Sequence, residues 1–346
     1  MTSIHLVPSG FLRGEPAEQA VAAGLAYWLA GGPCAFTAVT ALWRSADGSG
    51  LRKPLPLAEA QRLYPEHLQR LSAVPQPWVG FDLKRPLIMG IVNVTPDSFS
   101  DGGDHADTEG AVRFGEALLA AGADILDIGG ESTRPGAAEV SVEEEIRRVT
   151  PVIRRLAEKG AVISVDTRHA AVMSAAVAAG ARIINDITAL TGDADSQRAA
   201  AQSGAEIVLM HMQGEPQTMQ KDPHYADVTL DLLDYFAERL AELEKLGVSR
   251  QRISLDPGIG FGKKDPHNMR LMRELAVFHG FGCALTLGVS RKSFIGRLSR
   301  QEPPKERVAG SLIAGLAGLE RGIQVLRVHD VAETYQAIAI WQALAR

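Results

Sequence analysis

The sequence has very few cysteines and no excess of positive charge. Only two of its 346 residues are cysteines, Cys34 and Cys283, which argues against a disulfide framework and favours a reducing, cytoplasmic location. The two form no CxxC motif, and we interpret both as small core residues. The net charge of −5, without a basic stripe, argues against a nucleic-acid partner.

A membrane partner is also not expected, although residues 19–43 carry no charge and are long enough to span a bilayer. This stretch is rich in Ala and Gly, and Gly31–Pro33 interrupts it in the middle. Only Arg13 precedes it as a positively charged group among acidic ones, which does not fit a signal peptide. We therefore predict a helix over Pro16–Ala30, a turn, and a strand over Ala35–Trp43.

The first 80 residues differ from the rest of the chain. After the strand come a turn region at Leu51–Pro56 and a helical pattern over Leu57–Leu71. We find no catalytic constellation in residues 1–80 and treat them as a small α/β extension of unknown role. Residues 81–346 are expected to form the main domain.

From Pro86 onward, short apolar runs alternate eight times with amphipathic helical stretches. The predicted strands are Leu87–Val92, Asp124–Ile128, Val162–Val165, Arg182–Ile187, Glu206–Met210, Ile253–Leu255, Ala284–Leu287 and Gln324–Val328. The clearest predicted helices are Glu109–Ala121, Val142–Lys159, Val228–Leu246, Arg307–Arg321 and Ala332–Leu344. The predicted helix-terminal glycines are Gly122, Gly160, Gly180, Gly204, Gly247 and Gly322.

This repeat is roughly 32 residues long, the size of one strand and helix in a (β/α)8 TIM barrel. We therefore predict an α/β protein with such a barrel. A doubly wound open sheet is the alternative, because the alternation alone does not prove that the sheet closes.

A polar side chain follows nearly every predicted strand. In strand order these residues are Asn93, Glu131–Arg134, Asp166, Asn185 with Asp186, His211, Asp256, Ser290–Lys292, and Arg327 with His329. In a parallel barrel the carboxyl ends of all strands meet at one mouth. We therefore expect these side chains to share one pocket.

The residue types indicate what such a pocket binds. Asp166, Asn185 and Asp256 suit a flat heterocycle rich in hydrogen-bond donors, because a carboxylate pairs with an N–C–N edge and an amide both donates and accepts. The residues suited to an anion such as phosphate are Thr133, Arg134, Arg327 and His329.

The loop after the first strand of the repeat offers hard oxygen ligands. Asn93, Asp97 and Asp101 could hold Mg²⁺, which favours sites shared with phosphates. Asp97, which follows Pro96, has a turn interpretation as well.

Several of these assignments have a structural alternative. Asp166 could cap the following helix, and Asp256-Pro-Gly is a common turn signature. His211, between two methionines, is more often a structural histidine than a catalyst. The segment Gly258–Lys263 lacks the ending of a P-loop and predicts a tight loop close to a ligand.

Eight segments of residues 86–346 resemble the dihydropteroate synthase family and follow its order. They are PLIMGIVNVTPDSFSDGG, GADILDIGGESTRPGA, VISVDT, IINDI, LMHMQGEPQTMQ, LDPGIGFGK, GVSRKSFIG and RVHDV. The resemblance implies a (β/α)8 barrel that joins 4-aminobenzoate to 6-hydroxymethyl-7,8-dihydropterin diphosphate. It implies 7,8-dihydropteroate and pyrophosphate as products, a step of folate biosynthesis, with Mg²⁺ as cofactor and a homodimer.

The resemblance also implies roles for individual residues. The implied pterin-binding residues are Asp166, Asn185, Met210, Asp256, Phe261 and Lys292. Those implied for the diphosphate are Asn93, Thr133, Arg134, Arg327 and His329, with Asn93 also at the metal. Those implied for the aminobenzoate are Phe99, Ser290 and Arg291. The implied catalytic residues are Lys292, Asp101, Asp166 and Asp256. Arg168–His169 and Ile187–Ala189 depart mildly from the family's commoner residues.

The implied mechanism needs no nucleophilic side chain. Pyrophosphate departs and leaves a pterin cation, which the aniline nitrogen of aminobenzoate attacks. Asp166 and Asp256 suit the cation, while Arg327, His329 and Mg²⁺ suit the leaving anion. A pterin-dependent methyltransferase and an inactive pterin-binding relative are the alternatives. The segments NVTPDSFSDGG and SRKSFIG argue against the first, and Lys292, Arg327 and His329 argue against the second.

Overall fold

The N-terminal part of the chain forms a four-stranded sheet with three helices. The computed structural model describes residues 3–94, 104–131, 140–215 and 218–345, without the side chains of residues 104–107. The strands here are β1 (Ile4–Arg13), β2 (Tyr27–Trp28), β3 (Cys34–Arg44) and β4 (Gly50–Pro56). The helices are α1 (Gly14–Ala22), α2 (Leu57–Leu63) and α3 (Pro65–Ser72). The central strand β3 pairs antiparallel with the other three, which are therefore edge strands.

Two predictions for this part are wrong about strands. Leu51–Pro56 is not a turn region, because β4 pairs with β3 along its whole length, from Gly50 beside Arg44 to Pro56 beside Ala38. The strand β1 has no counterpart among the predicted strands. Its Pro8 and Gly10 break the apolar pattern, but an edge strand tolerates both residues.

Two predicted helices have different bounds in the structure. The helix predicted to reach Ala30 ends at Ala22, because Gly24 has a φ of 71° and turns the chain back into β2. The helical pattern over Leu57–Leu71 is two helices. They meet at Tyr64, since the following Pro65 has no N–H to continue the first helix and instead starts the second.

The rest of the chain contains a closed barrel of eight parallel strands, which confirms the predicted fold and excludes the open sheet. The strands are β5 (Leu87–Asn93), β6 (Ile125–Gly129), β7 (Val162–Asp166), β8 (Ile183–Asp186), β9 (Glu206–Met210), β10 (Ile253–Asp256), β11 (Ala284–Leu287) and β12 (Val325–Val328). The last strand pairs with the first, with Leu326 beside Ile88, so the sheet has no free edge.

Helices follow the barrel strands as predicted. They are α4 (Asp104–Ala120), α5 (Val142–Glu158), α6 (Ala170–Ala178), α7 (Ser196–Ser203), α8 (Val228–Lys245), α9 (Asp265–Glu274), α10 (Ser293–Leu298), α11 (Val308–Leu319) and α12 (Val331–Ala343). The six predicted helix-terminal glycines all have positive φ, between 71° and 115°. Across the described ranges, every helix is too short or too polar to span a bilayer.

The barrel interior is apolar at the amino ends of the strands. The inward residues there are Leu87, Met89, Ile125, Ile183, Val208, Ala284 and Val325. Trp78, Val79 and Leu83 pack on this layer, and Trp78 is only 1% exposed. Above the layer, the Ser254 and Thr286 hydroxyls bond to each other at 2.7 Å. The carboxyl ends of the strands are thus the place left for charged interior side chains.

Candidate active site

The inward positions at the carboxyl ends of the strands carry most of the side chains singled out in the sequence. Residues two apart on a strand share a face, so each of these positions follows an inward apolar or hydroxyl residue by two. They are Asp127, Asp166, Asn185, Met210, Asp256 and Arg327. The two aspartates predicted from sequence, Asp166 and Asp256, are buried at 8% and 5% exposure. The structure therefore brings these residues together at one end of the barrel.

Arg327 links two carboxylates across this end. Its Nε donates to Oδ2 of Asp127, and a terminal nitrogen donates to Oδ2 of Asp166, both at 2.6 Å. The Asn185 amide donates to the same Asp127 oxygen at 3.1 Å. Burial opposes the charge of Arg327, but the carboxylates outweigh it and raise its pKa. Arg327, which the resemblance implies for the diphosphate, thus lies among the residues implied for the pterin. It also precedes His329, another residue implied for the diphosphate, by two positions.

Asp127 is a buried carboxylate that the sequence analysis missed. Its Oδ1 has no hydrogen-bond partner in the structure as described. The available signal was its position, because it is the charged residue in the otherwise apolar run Ile125–Gly129 and shares a face with Ile125. A carboxylate there requires a compensating cation, which Arg327 supplies.

Asp166 does not serve as a helix cap. The local hydrogen bond before α6 is made by Thr167, whose Oγ1 accepts from the His169 amide at 3.2 Å. Burial raises the pKa of Asp166 to about 7; Arg327 opposes this shift and Asp127 adds to it. The carboxyl group is therefore able to exchange a proton near neutral pH.

Asp256 forms the turn that its sequence predicts and also lies at the candidate site. Its Oδ1 accepts from the Gly258 amide at 2.8 Å, the bond expected of an Asp-Pro-Gly turn. Burial raises the pKa of Asp256, against the Gly258 bond and the charge of Lys292. The turn therefore orients the carboxylate toward the barrel end without using all of its acceptor capacity.

The segment Gly258–Lys263 is a tight loop, as predicted, and its three glycines have φ between 60° and 83°. Lys263, only 1% exposed, holds it together. Its Nζ donates to the carbonyl oxygens of His211, Gly258 and Phe261 at 3.0 to 3.1 Å, and it lies 3.0 Å from Nδ1 of His211. His211 is therefore a satisfied structural histidine, as the sequence favoured. Lys263 was missed because only the folded loop shows its partners.

Lys292 and Phe261 form one wall of the site. The Lys292 Nζ lies 3.7 Å from the centroid of the Phe261 ring, within reach of a cation–π interaction. Burial and the nearby Arg327 lower the pKa of Lys292 to about 7, although Asp256 opposes the shift. Met210, 5% exposed, lies against Gly258 of the same loop.

Ser290 and His329 adjoin one another on the neighbouring strand ends. The Ser290 Oγ accepts from the His329 amide at 3.1 Å and lies 3.1 Å from its Nδ1. Arg291 has a φ of 59°, and its guanidinium makes a two-point ion pair with Asp330, with Nε and Oδ2 3.0 Å apart. The charge of Arg291 is thus already paired within the protein.

Several predicted residues fall outside the described part of the chain, namely Phe99, Asp101, Thr133 and Arg134, with Asp97. Asn93 is described. It ends β5, pairs with Gly129 of β6 and is half-buried. Its amide oxygen is therefore at the same strand ends as Asp166, which Gly129 in turn adjoins on β7.

Another group near these strand ends has the composition of a metal site. Ligand atoms of Glu131, Glu145 and His169 lie within 4.8 Å of one another. His169 Nδ1 is 2.8 Å from Glu145 Oε2, and Glu131 pairs with Arg168 at 3.2 Å. Imidazole nitrogen suits transition metals better than Mg²⁺, which prefers oxygen. The Asn93 amide oxygen is of the ligand type that Mg²⁺ prefers.

The arrangement suits a flat, polar ring held by carboxylates, an amide and an ammonium, beside groups that bind an anion. This chain is also similar in sequence to known proteins. The family model described as pterin binding enzyme matches residues 89–329. Dihydropteroate synthase of Escherichia coli K12 is 48% identical over 263 residues, which cover 76% of this chain and 93% of that protein. The chain belongs to the dihydropteroate synthase family.

Solved structures of dihydropteroate synthases are also similar to this chain. Xanthomonas albilineans dihydropteroate synthase with 4-aminobenzoic acid matches with a TM-score of 0.71 and 49% identity, covering 76% of this chain and 94% of that one. The same enzyme in complex with 7,8-dihydropteroate matches with a TM-score of 0.69, 46% identity and the same coverage. The family model begins after the extension, so residues 1–80 lie outside that match.

Proposed function

We propose that this chain is a dihydropteroate synthase, which condenses 6-hydroxymethyl-7,8-dihydropterin diphosphate with 4-aminobenzoate. The products are 7,8-dihydropteroate and pyrophosphate. The observation that carries the proposal is the group formed at one barrel end by the buried Asp166, Asn185 and Asp256 with the half-buried Lys292, in a chain 48% identical to a named synthase.

The pterin set holds the ring through complementary hydrogen bonds. Asp256 and Asp166 accept from the ring's N–H donors, the Asn185 amide pairs with a donor and an acceptor, and Lys292 donates to an acceptor. Phe261 and Met210 pack against the ring. Arg327 orients the Asp166 carboxylate, to which it donates at 2.6 Å.

The reaction breaks the bond between the pterin methylene carbon and the diphosphate oxygen, and the oxygen keeps the electron pair. The aniline nitrogen then forms a bond to that carbon and loses a proton. In their ionised forms, Asp166 and Asp256 would stabilise the positive charge that develops on the pterin. A buried site strengthens this stabilisation because little water screens it.

Binding of the leaving diphosphate is assigned to Asn93, Arg327 and His329, together with Thr133 and Arg134. Mg²⁺ at Asn93 would supply positive charge to the phosphate oxygens. The Ser290 hydroxyl, 3.1 Å from the His329 amide nitrogen, fixes the His329 backbone on this side. Aminobenzoate is assigned to Ser290, Arg291 and Phe99, and Asp101 is kept as a catalytic candidate in the loop after β5.

We also propose a homodimer in a reducing compartment such as the cytoplasm. Large apolar side chains on α11 and α12 are exposed, with Ile313 at 70%, Tyr335 at 57% and Ile340 at 59%. Such a surface favours a protein partner, and a second copy of the chain fits the resemblance. Both cysteines are free and buried, which agrees with a reducing environment. Analytical ultracentrifugation tests the dimer directly.

The activity test is to incubate the purified protein with the pterin diphosphate, 4-aminobenzoate and Mg²⁺ and to measure dihydropteroate. Lys292→Ala and Asp256→Ala should each lower the rate at least roughly tenfold, the scale of one charge-assisted contact. Lys245→Ala, which removes only a surface pair with Glu242, is the control and should keep the rate. Unchanged rates in both site variants would contradict the site assignment.

A further inference from the structure

Acidic residues on one face of α8 bind arginines of the N-terminal extension. Asp227, Asp231 and Asp234 are spaced by four and three residues, so they lie on one side of the first turns of the helix. Arg44 at the end of β3 contacts Asp231 at 3.0 Å and Asp234 at 2.5 Å. Arg52 of β4 contacts Asp227. The extension is therefore tied to the beginning of this helix.

Arg52 makes the tighter of these connections. Its guanidinium donates to both oxygens of Asp227, at 2.7 and 3.2 Å, and to both oxygens of Glu274, at 2.8 and 2.9 Å. The Asp227 side chain is only 3% exposed. Gly50 approaches it so closely that a Cβ there would overlap the carboxylate. A planar, two-sided arginine contact of this kind fixes the orientation of both carboxylates.

Asp227 also starts α8. Its Oδ1 accepts from the amides of Thr229 and Leu230 at 3.1 and 3.2 Å, which is an N-cap. The next acidic residue, Asp231, accepts from the Ala226 amide at 3.0 Å and so holds the chain that enters the helix. The position of this entry therefore depends on carboxylates that the extension orients.

The chain that enters α8 at Asp227 contacts the pterin wall directly. Tyr225, two residues before the cap, donates its hydroxyl to the carbonyl of Gly262 at 2.7 Å. Gln220 donates to the carbonyl of Gly260 at 2.5 Å. These two carbonyls flank Phe261, whose ring lies under the Lys292 ammonium. A short series of bonded groups thus leads from Arg52 to the wall of the site.

We propose that the extension acts as a brace for the pterin site, and that Arg52 is a positioning residue acting through Asp227 on the loop Gly258–Lys263. Without this arginine, Asp227 keeps its cap bonds to α8 and a longer contact with Arg270 at 3.4 Å, but it loses the two-point contact, and the segment before α8 loosens. Phe261 and Lys292 then hold the pterin less well, while the aminobenzoate side is unaffected. This inference depends on the proposed assignment of the pterin site.

The test compares Arg52→Gln with Arg13→Gln. Arg13 also joins the extension to the barrel, but it contacts α12 instead of α8. It donates to the carbonyl of Trp341 at 2.8 Å and lies 4.4 Å from the centroid of the Trp341 ring. Pterin diphosphate affinity is measured by calorimetry, and KM for 4-aminobenzoate is measured in the activity assay. Both are done well below the unfolding temperature of each variant.

We expect Arg52→Gln to weaken pterin diphosphate binding about five- to twentyfold, the scale of one displaced charge-assisted contact. The KM for 4-aminobenzoate should stay within twofold, on the order of error of such comparisons. Hydrogen exchange of the amides in residues 218–226 and 258–263 should speed up. Arg13→Gln should change none of these, although it also removes a contact between the extension and the barrel.

Equal pterin affinity in Arg52→Gln and the wild type, or equal losses in both arginine variants, overturns the bracing role. Asp256→Ala in the same calorimetric assay separates this from the site assignment. A loss in Asp256→Ala without a loss in Arg52→Gln overturns only the brace. No loss in either variant overturns the pterin site as well. If Arg52→Gln does not fold, Arg52→Lys, which keeps the charge but not the fork, is measured instead with the same criteria.

Discussion

The charged residues of the site depend on one another because buried carboxylates lie beside the half-buried Lys292 and Arg327. Lys292 has its pKa lowered to about 7 by burial and by Arg327, although carboxylates lie nearby. Asp166 has its pKa raised to about 7 by burial, although Arg327 is 2.6 Å away. Two groups of opposite charge that both titrate near neutrality make ligand binding sensitive to pH.

The titration of Lys292 near neutral pH predicts a loss of pterin affinity as the pH rises above 7. Both groups have a pKa of about 7, so between pH 7 and 9 the ionised fraction of Asp166 only about doubles, whereas the protonated fraction of Lys292 falls by up to about tenfold per pH unit. A ligand that needs the ammonium should bind up to about tenfold more weakly per pH unit in this interval. Calorimetric titration with the pterin diphosphate measures it.

Lys292→Arg is the matched variant, because a guanidinium stays protonated throughout this range. Its affinity should be nearly level from pH 7 to 9, whatever its absolute value. A wild-type affinity that does not change with pH, or an equal decline in Lys292→Arg, would contradict this role for the ammonium.

Whole elements of the barrel could be predicted from sequence because its strands are buried on both faces. Such strands are short, mostly apolar runs between helices, and β9 and β11 have the predicted bounds. The extension could not be predicted as well, because β1 and β4 are edge strands that contain Pro8 and Pro54, and pairing with β3 outweighs their weak local pattern.

Residues of the site were likewise found where a local pattern indicates them and missed where only the fold does. Strand-end residues such as Asp166 and Asn185 were found because their position follows from the barrel. Asp127 and Lys263 were missed, since one lies inside a strand and the other is recognised only by the carbonyls around it. The Arg52 contacts to Asp227 join residues 175 apart in sequence, and no local pattern indicates them.

The loop after β10 should not tolerate a side chain at its first glycine. Gly258 has a φ of 63°, and a Cβ would overlap the carbonyl oxygen of His211, to which Lys263 is also bonded. Gly258→Ala should lower the free energy of unfolding by more than about 2 kcal/mol, from left-handed strain plus the clash. Pterin affinity should fall as well, since Phe261 is displaced with the loop.

Gly280→Ala is the control for this change. Gly280 has ordinary backbone angles and nothing within 4 Å of the position of a Cβ. Its substitution should leave both the urea midpoint and the pterin affinity close to wild type. Similar effects of the two alanines would mean that the close approach at Gly258 is not what constrains the loop.

At the scale of the whole molecule, the two ends of the barrel have different tasks. The carboxyl ends hold buried charges that cost stability, whereas the amino ends are filled by apolar side chains. Trp78 and Leu83, which precede the first barrel strand, complete that apolar end. The segment from Trp78 to β5 is therefore part of the barrel core and not a free linker.

Trp78→Ala should lower the stability of the protein without changing its affinity for the pterin. The side chain is 1% exposed among interior residues such as Leu87 and Met89, and its Nε1 donates to the Arg252 carbonyl at 3.4 Å. Truncating it leaves a cavity that should lower the free energy of unfolding by about 3–5 kcal/mol, as measured by urea denaturation. Pterin affinity should stay within about twofold, because the cavity lies at the opposite end of the barrel from Asp256.

Leu344→Ala, at a side chain 77% exposed, should change neither quantity. A large loss of affinity in Trp78→Ala would show instead that packing at the amino end sets the geometry of the site.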